Sequence, residues 1–408
     1  GRLSAHTDRK GQVSAVQYDG HGRPIQIDYA GQSRIKLSWD KADRLVLIDD
    51  SRSGQIRRRY DAFDRLIEEQ SPQGQINYSY DKLGRKASLS VSGQPTVSYR
   101  YDAAGQLTEI TQAPGPSNDG QAQRIRFIYD AAGRRTQTEL AGGIRIHYSY
   151  DAASQLTGIV QQKADGSELG RIVYTYDRNG KRTGASGSLV SLELPSIVSE
   201  ARFDANNRLT RHNGVNYSYD ANGNLVSDGQ RTYTWDERNQ LKSIGGLAVA
   251  NFSYDPFGRR IGKTVAGQST GYLYDGANFV QELLGSGAAS PVKANLMTGG
   301  VDETFLRSEQ TSGSTATLSH FLADANNNVI ALADNSQAIT TRYSYSPYGQ
   351  STQSGQANGN SQQYTGREND QTGLLYYRAR YYHTECKRFI SEDPIGWASG
   401  QTNNYAYV

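Results

Sequence analysis

The sequence predicts an all-β fold of repeated hairpins, and three observations lead there. One short phrase recurs: YDGHGR at Tyr18, YDKLGR at Tyr80, YDAAGQ at Tyr101, YDAAGR at Tyr129, YDRNGK at Tyr176 and YDPFGR at Tyr254. The residues before each copy alternate in polarity with the period of a strand. The composition suits half-buried sheets better than a thick core: 28 Tyr and 43 Gly against 9 Phe, 1 Met and 36% hydrophobic residues.

Each unit reads as a hairpin. In QINYSYD, Ile76, Tyr78 and Tyr80 face one way and Gln75, Asn77 and Ser79 the other. The corner is an aromatic-Asp pair, whose Asp can accept a hydrogen bond from the backbone two residues on. The pairs stand 21 residues apart at Tyr18, Trp39 and Tyr60, with wider and narrower intervals later, as expected of repeats with unequal loops. Three residues after the Asp comes Gly (22, 84, 105, 133, 180, 223, 258), or Asp43, Asp64, Asn207, Asn239 or Asn278, with Ser154 the single misfit. Gly, Asn and Asp tolerate positive φ, so this position is a backbone requirement. A cation usually follows, such as Arg23, Arg65, Arg134 or Arg259. It opens the return strand, where it can face the Asp or lie over a Tyr. The repeated Tyr and Arg could also form a ladder of stacking sites for glycans or nucleic acid. A sheet held by cross-strand pairs explains the turn residues without a ligand.

About fifteen such units give roughly 30 strands at ~4.8 Å spacing, on the order of 140 Å of sheet. Open sheets seldom exceed about 10 strands without curling. Rolled up, this one would be about 45 Å across, too wide for side chains to fill. A curved wall around a solvent-filled or cargo-filled space follows. We divide the chain into a repeat sheet, residues 1–282, and a shell-closing region, 283–408.

Other classes find little support. A net charge of +3 gives no footprint for nucleic acid. No window approaches a membrane span. The N-terminus carries no signal region, and because it enters mid-rhythm the chain reads as the interior of a longer protein. The single cysteine, Cys386, allows no intrachain disulfide. No P-loop, GxSxG or HExxH occurs, and no cofactor or metal motif is found. The run GSGAASP at Gly285 lacks the Lys of a phosphate loop and reads as a linker. His383, Glu385 and Cys386 are too few and too close for a four-ligand zinc site, so they read as a surface loop.

The tail carries MTGGVDETFLR (297–307), YTGREND (364–370), TGLLYYRARYY (372–382), RFISEDPIG (388–396) and NNYAYV (403–408). With the YDxxGR units, these resemble the YD repeats and associated core of the Rhs and wall-associated proteins, related to the B and C subunits of insecticidal toxin complexes and to teneurins. The resemblance implies a hollow β-cocoon that encloses a C-terminal toxin domain and is completed by an N-terminal shell portion of the same protein. It implies secretion by a bacterial delivery system, with spike or other delivery proteins and a chaperone as further partners. It also implies an aspartyl autoprotease built from two DPxG segments. The first is present at Asp393-Pro394-Ile395-Gly396, and the second would lie beyond residue 408. Paired carboxylates in contact cannot both ionise, so one can act as base and the other as acid. Asp393 is the candidate for one of the pair, and Arg388 for its electrostatic partner. Alone, this chain is expected to have no enzymatic activity, and Asp-Pro can equally be a plain turn. YYHTECKRF departs from the family, which more often has Asp-Pro and a Gly there. The alternative function is an extracellular adhesion or glycan-binding module, with Trp39, Trp235 and Trp397 as its aromatic platforms.

Overall fold

In the computed structural model, residues 1–118, 120–191, 193–287, 289–310 and 316–407 are described, without the Ser117 side chain. The linker residue 288, residues 311–315 of the Gly/Ser-rich stretch and Val408 of the last motif lie outside them. There are 38 strands among the described residues, and within each sheet consecutive strands pair antiparallel. Seventeen, from Ala5–Thr7 to Arg182–Ser186, form a first sheet; fourteen, from Ser218–Tyr219 to Ser351–Gly355, form a second. A three-stranded sheet (Ala201–Phe203, Leu209–His212, Val215–Asn216) stands between them in sequence. Four short strands, Glu368–Asn369, Leu374–Tyr376, Tyr381–His383 and Arg388–Phe389, make the core.

The corner explains the repeated phrase. At Asp130, one carboxylate oxygen accepts the amides of Ala132 (3.0 Å) and Arg134 (2.9 Å), and the other accepts Arg134 Nε at 2.7 Å. The Gly133 amide donates to the Asp130 carbonyl. Tyr129 donates its hydroxyl back to the Leu107 carbonyl (2.8 Å), while Arg134 lies 4.8 Å over the next corner's ring, Tyr150. So the Tyr ties each corner to the one before and the Arg to the one after. The indoles of Trp39 and Trp235 do the tyrosine's work, donating to Pro24 and Leu225 carbonyls. A register shift falls just before the aromatic, as at Ile128/Tyr129, and such bulges twist and bend a sheet. The positive-φ rule holds with two changes. Ser154 obeys it, at φ 63°. Asn278 does not need it: it pairs directly with Asp275 across Gly276-Ala277, and Gly276 takes the positive φ of 60°.

These carboxyls make the corners acid-sensitive. The guanidinium of Arg134 beside Asp130, and that of Arg65 beside Asp61, hold both below the usual range, and the Arg23 amide helps bring Asp19 to about 2. The unfolded chain therefore binds protons at higher pH than the fold does. The corners' contribution is complete above the ordinary Asp value of 3.8 and is lost as pH falls towards 2. Asp255 and Asp324, raised by burial, titrate oppositely and soften the slope. Urea midpoints measured from pH 5 down to 2 are expected to fall most steeply below 4; a flat profile would contradict this account.

The single ribbon expected from the sequence is broken between Ser186 and Ala201. Pro195 cannot donate to a ladder there, and Gly187, at φ 120°, turns the chain away. The second sheet then packs along the first in the same sequence order. Asp50 meets Arg238, Glu69 meets Arg259, Lys86 meets Asp275, and Arg182 meets Asn326, at separations of 188, 190, 189 and 144 residues. Between the sheets runs an apolar seam that includes Ile110, Ile125, Phe127, Ile159, Phe305 and Leu322. Neighbours on one strand show that the second sheet is covered on both faces. Leu322 belongs to the seam, whereas Phe321 packs with Val329, Leu332 and Tyr343 on the opposite side. Its ladder continues through residue 282, pairing Gln268–Asp275 with Asn278–Leu284 and the latter with Val292–Thr298.

Candidate functional site

The core docks on the second sheet through a buried charge cluster. Arg260 follows the corner cation Arg259 and is wholly buried. Its guanidinium pairs with Glu368 and Asp370 of YTGREND and lies 4.2 Å over Tyr376. Lys263 reaches Asp370 at 2.7 Å, and Tyr254 and Tyr381 share a hydrogen bond of 2.8 Å. Burial pushes the Glu368 carboxyl up; it also works against the charge on Asp370, but Arg260 and Lys263 outweigh it and hold that carboxyl down. The other core motifs are spent in the same way. Arg307 bridges Glu282 (2.8 Å) and Glu309 (2.6 Å), and Asp302 accepts Arg367 at 2.9 Å and Arg378.

Beside this cluster is a cavity of about 510 Å³. Repeat corners supply Arg238, Phe257 and Phe279, and the core supplies Arg378, Glu392 and Pro394. The DPIG turn thus borders it. Asp393 makes a tight turn: its Oδ1 accepts the Ile395 amide at 2.9 Å, and the Gly396 amide donates to its carbonyl at 2.8 Å. Its Oδ2 pairs with Arg380 at 2.9 Å, and Arg380 stacks 3.6 Å over Phe389. No second carboxylate is among its contacts within the described residues. Arg388, the partner expected from sequence, stands elsewhere. It donates to the Asn207 carbonyl and lies over Phe203 (4.9 Å) and Tyr405 (5.2 Å), joining core to the three-stranded sheet. Glu392, next to Asp393, meets Arg9 at 2.8 Å.

The HTEC turn is the surface loop expected at Glu385, which is exposed, but not at His383. His383 is 2% exposed and points at Asp228, while Cys386 is partly exposed beside Tyr217. The reason is pairing: His383 sits opposite both Leu374 and Arg388 in the core sheet. Among the described residues, no group of three or more His, Cys, Asp or Glu side chains is placed to hold a metal ion. Of the three tryptophans, Trp39 and Trp235 are committed to corners, and Trp397 is exposed (71%) just after the DPIG turn.

Sequence reasoning missed Arg260, although a signal was present. The residue five places after the corner Asp is usually Leu, as in Leu45, Leu66, Leu107 and Leu156. In four units it is Lys86, Arg135, Arg182 or Arg260, and all four reach into another layer: Lys86 to Asp275, Arg135 to Glu303, Arg182 to Asn326, and Arg260 to the core. A cation at an inward strand position calls for a partner across the interface.

Corners knitted in series, a second sheet packed along the first and a core locked onto its free face define a YD-repeat shell. The chain belongs to the Teneurin YD-shell family, which matches residues 3–121 and 117–406. It is 35% identical over 251 residues to the tRNA3(Ser)-specific nuclease WapA of Bacillus spizizenii, covering 58% of this chain but 10% of that protein. It is 29% identical to the probable deoxyribonuclease RhsB of Dickeya dadantii over 49% of this chain and 15% of the relative. The crystal structure of TcdB2-TccC3 has the same fold: TM-score 0.79 and 17% identity, over 100% of this chain and 27% of that one. The chain therefore spans a minor part of each. Among the described residues, no helix is long and apolar enough to cross a membrane.

Proposed function

We propose that this chain is shell wall for a toxin domain carried C-terminally in its parent protein, exported by a bacterial delivery system. One observation carries the reading most of the way. The segment is shared by relatives named for different chemistries, a tRNA nuclease and a probable deoxyribonuclease, and makes up 10% and 15% of them. Chemistry that differs belongs outside what is shared, so the shared part serves as container. The knitted corners support this, because their Tyr and Arg groups are used on one another and leave no repeated binding site among the described residues.

The region from 283 onward is the closing unit in this reading, and Asp393 is one half of an aspartyl self-cleaving pair. The turn that carries Asp393 borders the cavity, where a following segment could be seated, and Arg380, rather than Arg388, is the cation that would hold its charge. The test uses the full-length parent. It is expected to yield a cleaved C-terminal fragment that resists added protease until the shell is denatured, and Asp393→Asn should leave the parent uncut. Cleavage of the Asn variant at the same bond removes Asp393 from the role; a fragment digested at once in the native protein removes the container.

A further inference from the structure

Along the strand Thr317–Ala323, Leu318 and Leu322 belong to the apolar seam, and His320 stands between them on the same face. Its ring is wholly buried, 0% exposed. Leu306 and Ala333 lie opposite it on the two flanking strands. Across the seam the ring meets the first sheet at Gly142. A Cβ there would lie 2.7 Å from Nε2 and 3.1 Å from Cδ2, so glycine is what leaves room for the imidazole. Nε2 lies 2.9 Å from Asn335 Oδ1, which can only accept, so Nε2 carries a hydrogen. Nδ1 has no hydrogen-bond partner among the described residues.

Asn335 belongs to a turn that also clamps the first sheet. From the same turn Gln337 Nε2 donates to the Gly142 carbonyl at 2.8 Å, and Gln337 Oε1 accepts the Ala164 amide at 2.8 Å. One short segment of the second sheet thus holds His320 and two hairpin turns of the first. The neutral ring suits this place: one hydrogen bond satisfies Nε2, and the bare lone pair of Nδ1 carries no net charge. The imidazolium does not suit it. Its second N–H would be buried with no acceptor, and its charge would sit among leucines. We propose that His320 is a proton-operated release point in the seam. With the ring neutral the two sheets are closed at Gly142; when the ring takes up a proton, they part there first.

The charged groups on the elements packed around the ring are committed elsewhere. Asp334, just past the flanking strand Val329–Ala333, favours a cation on the ring. Its carboxylate, however, already accepts the amides of Ser336 (2.9 Å) and Ala338 (3.0 Å) and the Ser336 hydroxyl (2.6 Å). On the other flanking strand, Thr304–Glu309, Arg307 is turned to Glu282 and Glu309. Of the two facing turns, the one with Ala164 brings Lys163 and Asp165, and Asp165 is held by the Ser167 amide (2.8 Å) and hydroxyl (2.7 Å). Burial outweighs the Asn335 hydrogen bond and Asp334, and holds the ring's pKa below the ordinary 6.5. The opened chain therefore binds this proton at higher pH than the closed seam does. The contribution of His320 is complete above 6.5 and is lost as pH falls below it, before the corner carboxyls titrate. His212 is shifted in the same sense and His383 in the opposite one, both beside the core, so the readout has to be local.

Native-state hydrogen exchange, followed by mass spectrometry and read as protection factors, tests this in the whole chain at about pH 7.5 and about pH 5.5. Amides of Thr317–Ala323 and of residues 140–144 are expected to lose at least about fivefold in protection at the lower pH. Those of Val13–Tyr18 and Pro24–Asp28 should change little. His320→Gln keeps a neutral polar group in the seam and should abolish the loss. Asn335→Asp sets a carboxylate against Nε2 and should reverse it, with protection rising as pH falls. Equal wild-type protection at the two pH values overturns the release point without any substitution. A loss just as large in Val13–Tyr18 and Pro24–Asp28 is general acid weakening and overturns it too. An undiminished loss in a folded His320→Gln chain removes His320 from the role, and if that chain does not fold, an undiminished loss in Asn335→Asp does the same.

Discussion

Arg260→Ala is expected to destabilise the chain by about 3–5 kcal/mol, because it strips the partner from two buried carboxylates. Glu368 and Asp370 are 7% and 5% exposed, and Lys263 alone would remain to pair with Asp370. The same change removes the guanidinium from between Phe252, at 5.3 Å, and Tyr376, at 4.2 Å. The loss should be local at first. The segment from 364 onward should become sensitive to protease at urea concentrations where the hairpins before residue 187 still resist. Removing the charges together separates pairing from packing: Arg260→Met with Glu368→Gln and Asp370→Asn should recover much of the loss, since a buried ion pair exchanged for neutral groups is often close to neutral in stability. An Arg260→Ala chain with an unchanged urea midpoint would show that the cluster does not hold the core.

Local rules were legible in the sequence, and contacts between layers were not. Alternation placed Ile76 inward (1% exposed), with Asn77 and Ser79 exposed. Asx geometry at Asp130 followed from residue type alone, because the whole interaction lies within four residues. Ser154 shows the limit of such typing. Its backbone is set by the Asp151 turn around it, which imposes positive φ on a residue that does not favour it. The core cluster joins residues 108 and 110 apart, and nothing local in GREND says which strand its carboxylates will meet. Asp393 was singled out through its motif, and Arg388 was set beside it by proximity in sequence. In the fold, Arg388 lies in a strand whose side chain is carried to Phe203, while Arg380 crosses to the turn. His383 of the HTEC turn was misplaced for the same reason: the spacing of His383, Glu385 and Cys386 argued only against a zinc site, and His383 is buried by strands on both sides.

The seam between the sheets should be as sensitive as the core lock, and it bears on how the two sheets stay together. Phe127 and Phe305 face each other across it with centroids 5.3 Å apart, both about 5% exposed or less. Arg135 lies 4.4 Å over Phe127 and pairs with Glu303, so stacking, charge and apolar burial meet at one point. Phe305→Ala should cost about 3–5 kcal/mol, the range for deleting a buried ring where the site cannot collapse. Collapse is hindered here because each sheet is held by its own corners: the Tyr150 hydroxyl bonds to the Arg135 carbonyl, and Glu303 takes up the Gly300 amide. The two layers therefore cannot move together to fill the space. Phe305→Leu, which keeps most of the volume, should recover more than half of the loss. Hydrogen exchange distinguishes a seam from an ordinary core position. In Phe305→Ala, amides of the strands Gln123–Tyr129 and Thr304–Glu309 should exchange faster together, although they belong to different sheets. Faster exchange confined to one sheet would mean that the layers are held elsewhere, and the apolar seam would lose its standing as what holds the two sheets together.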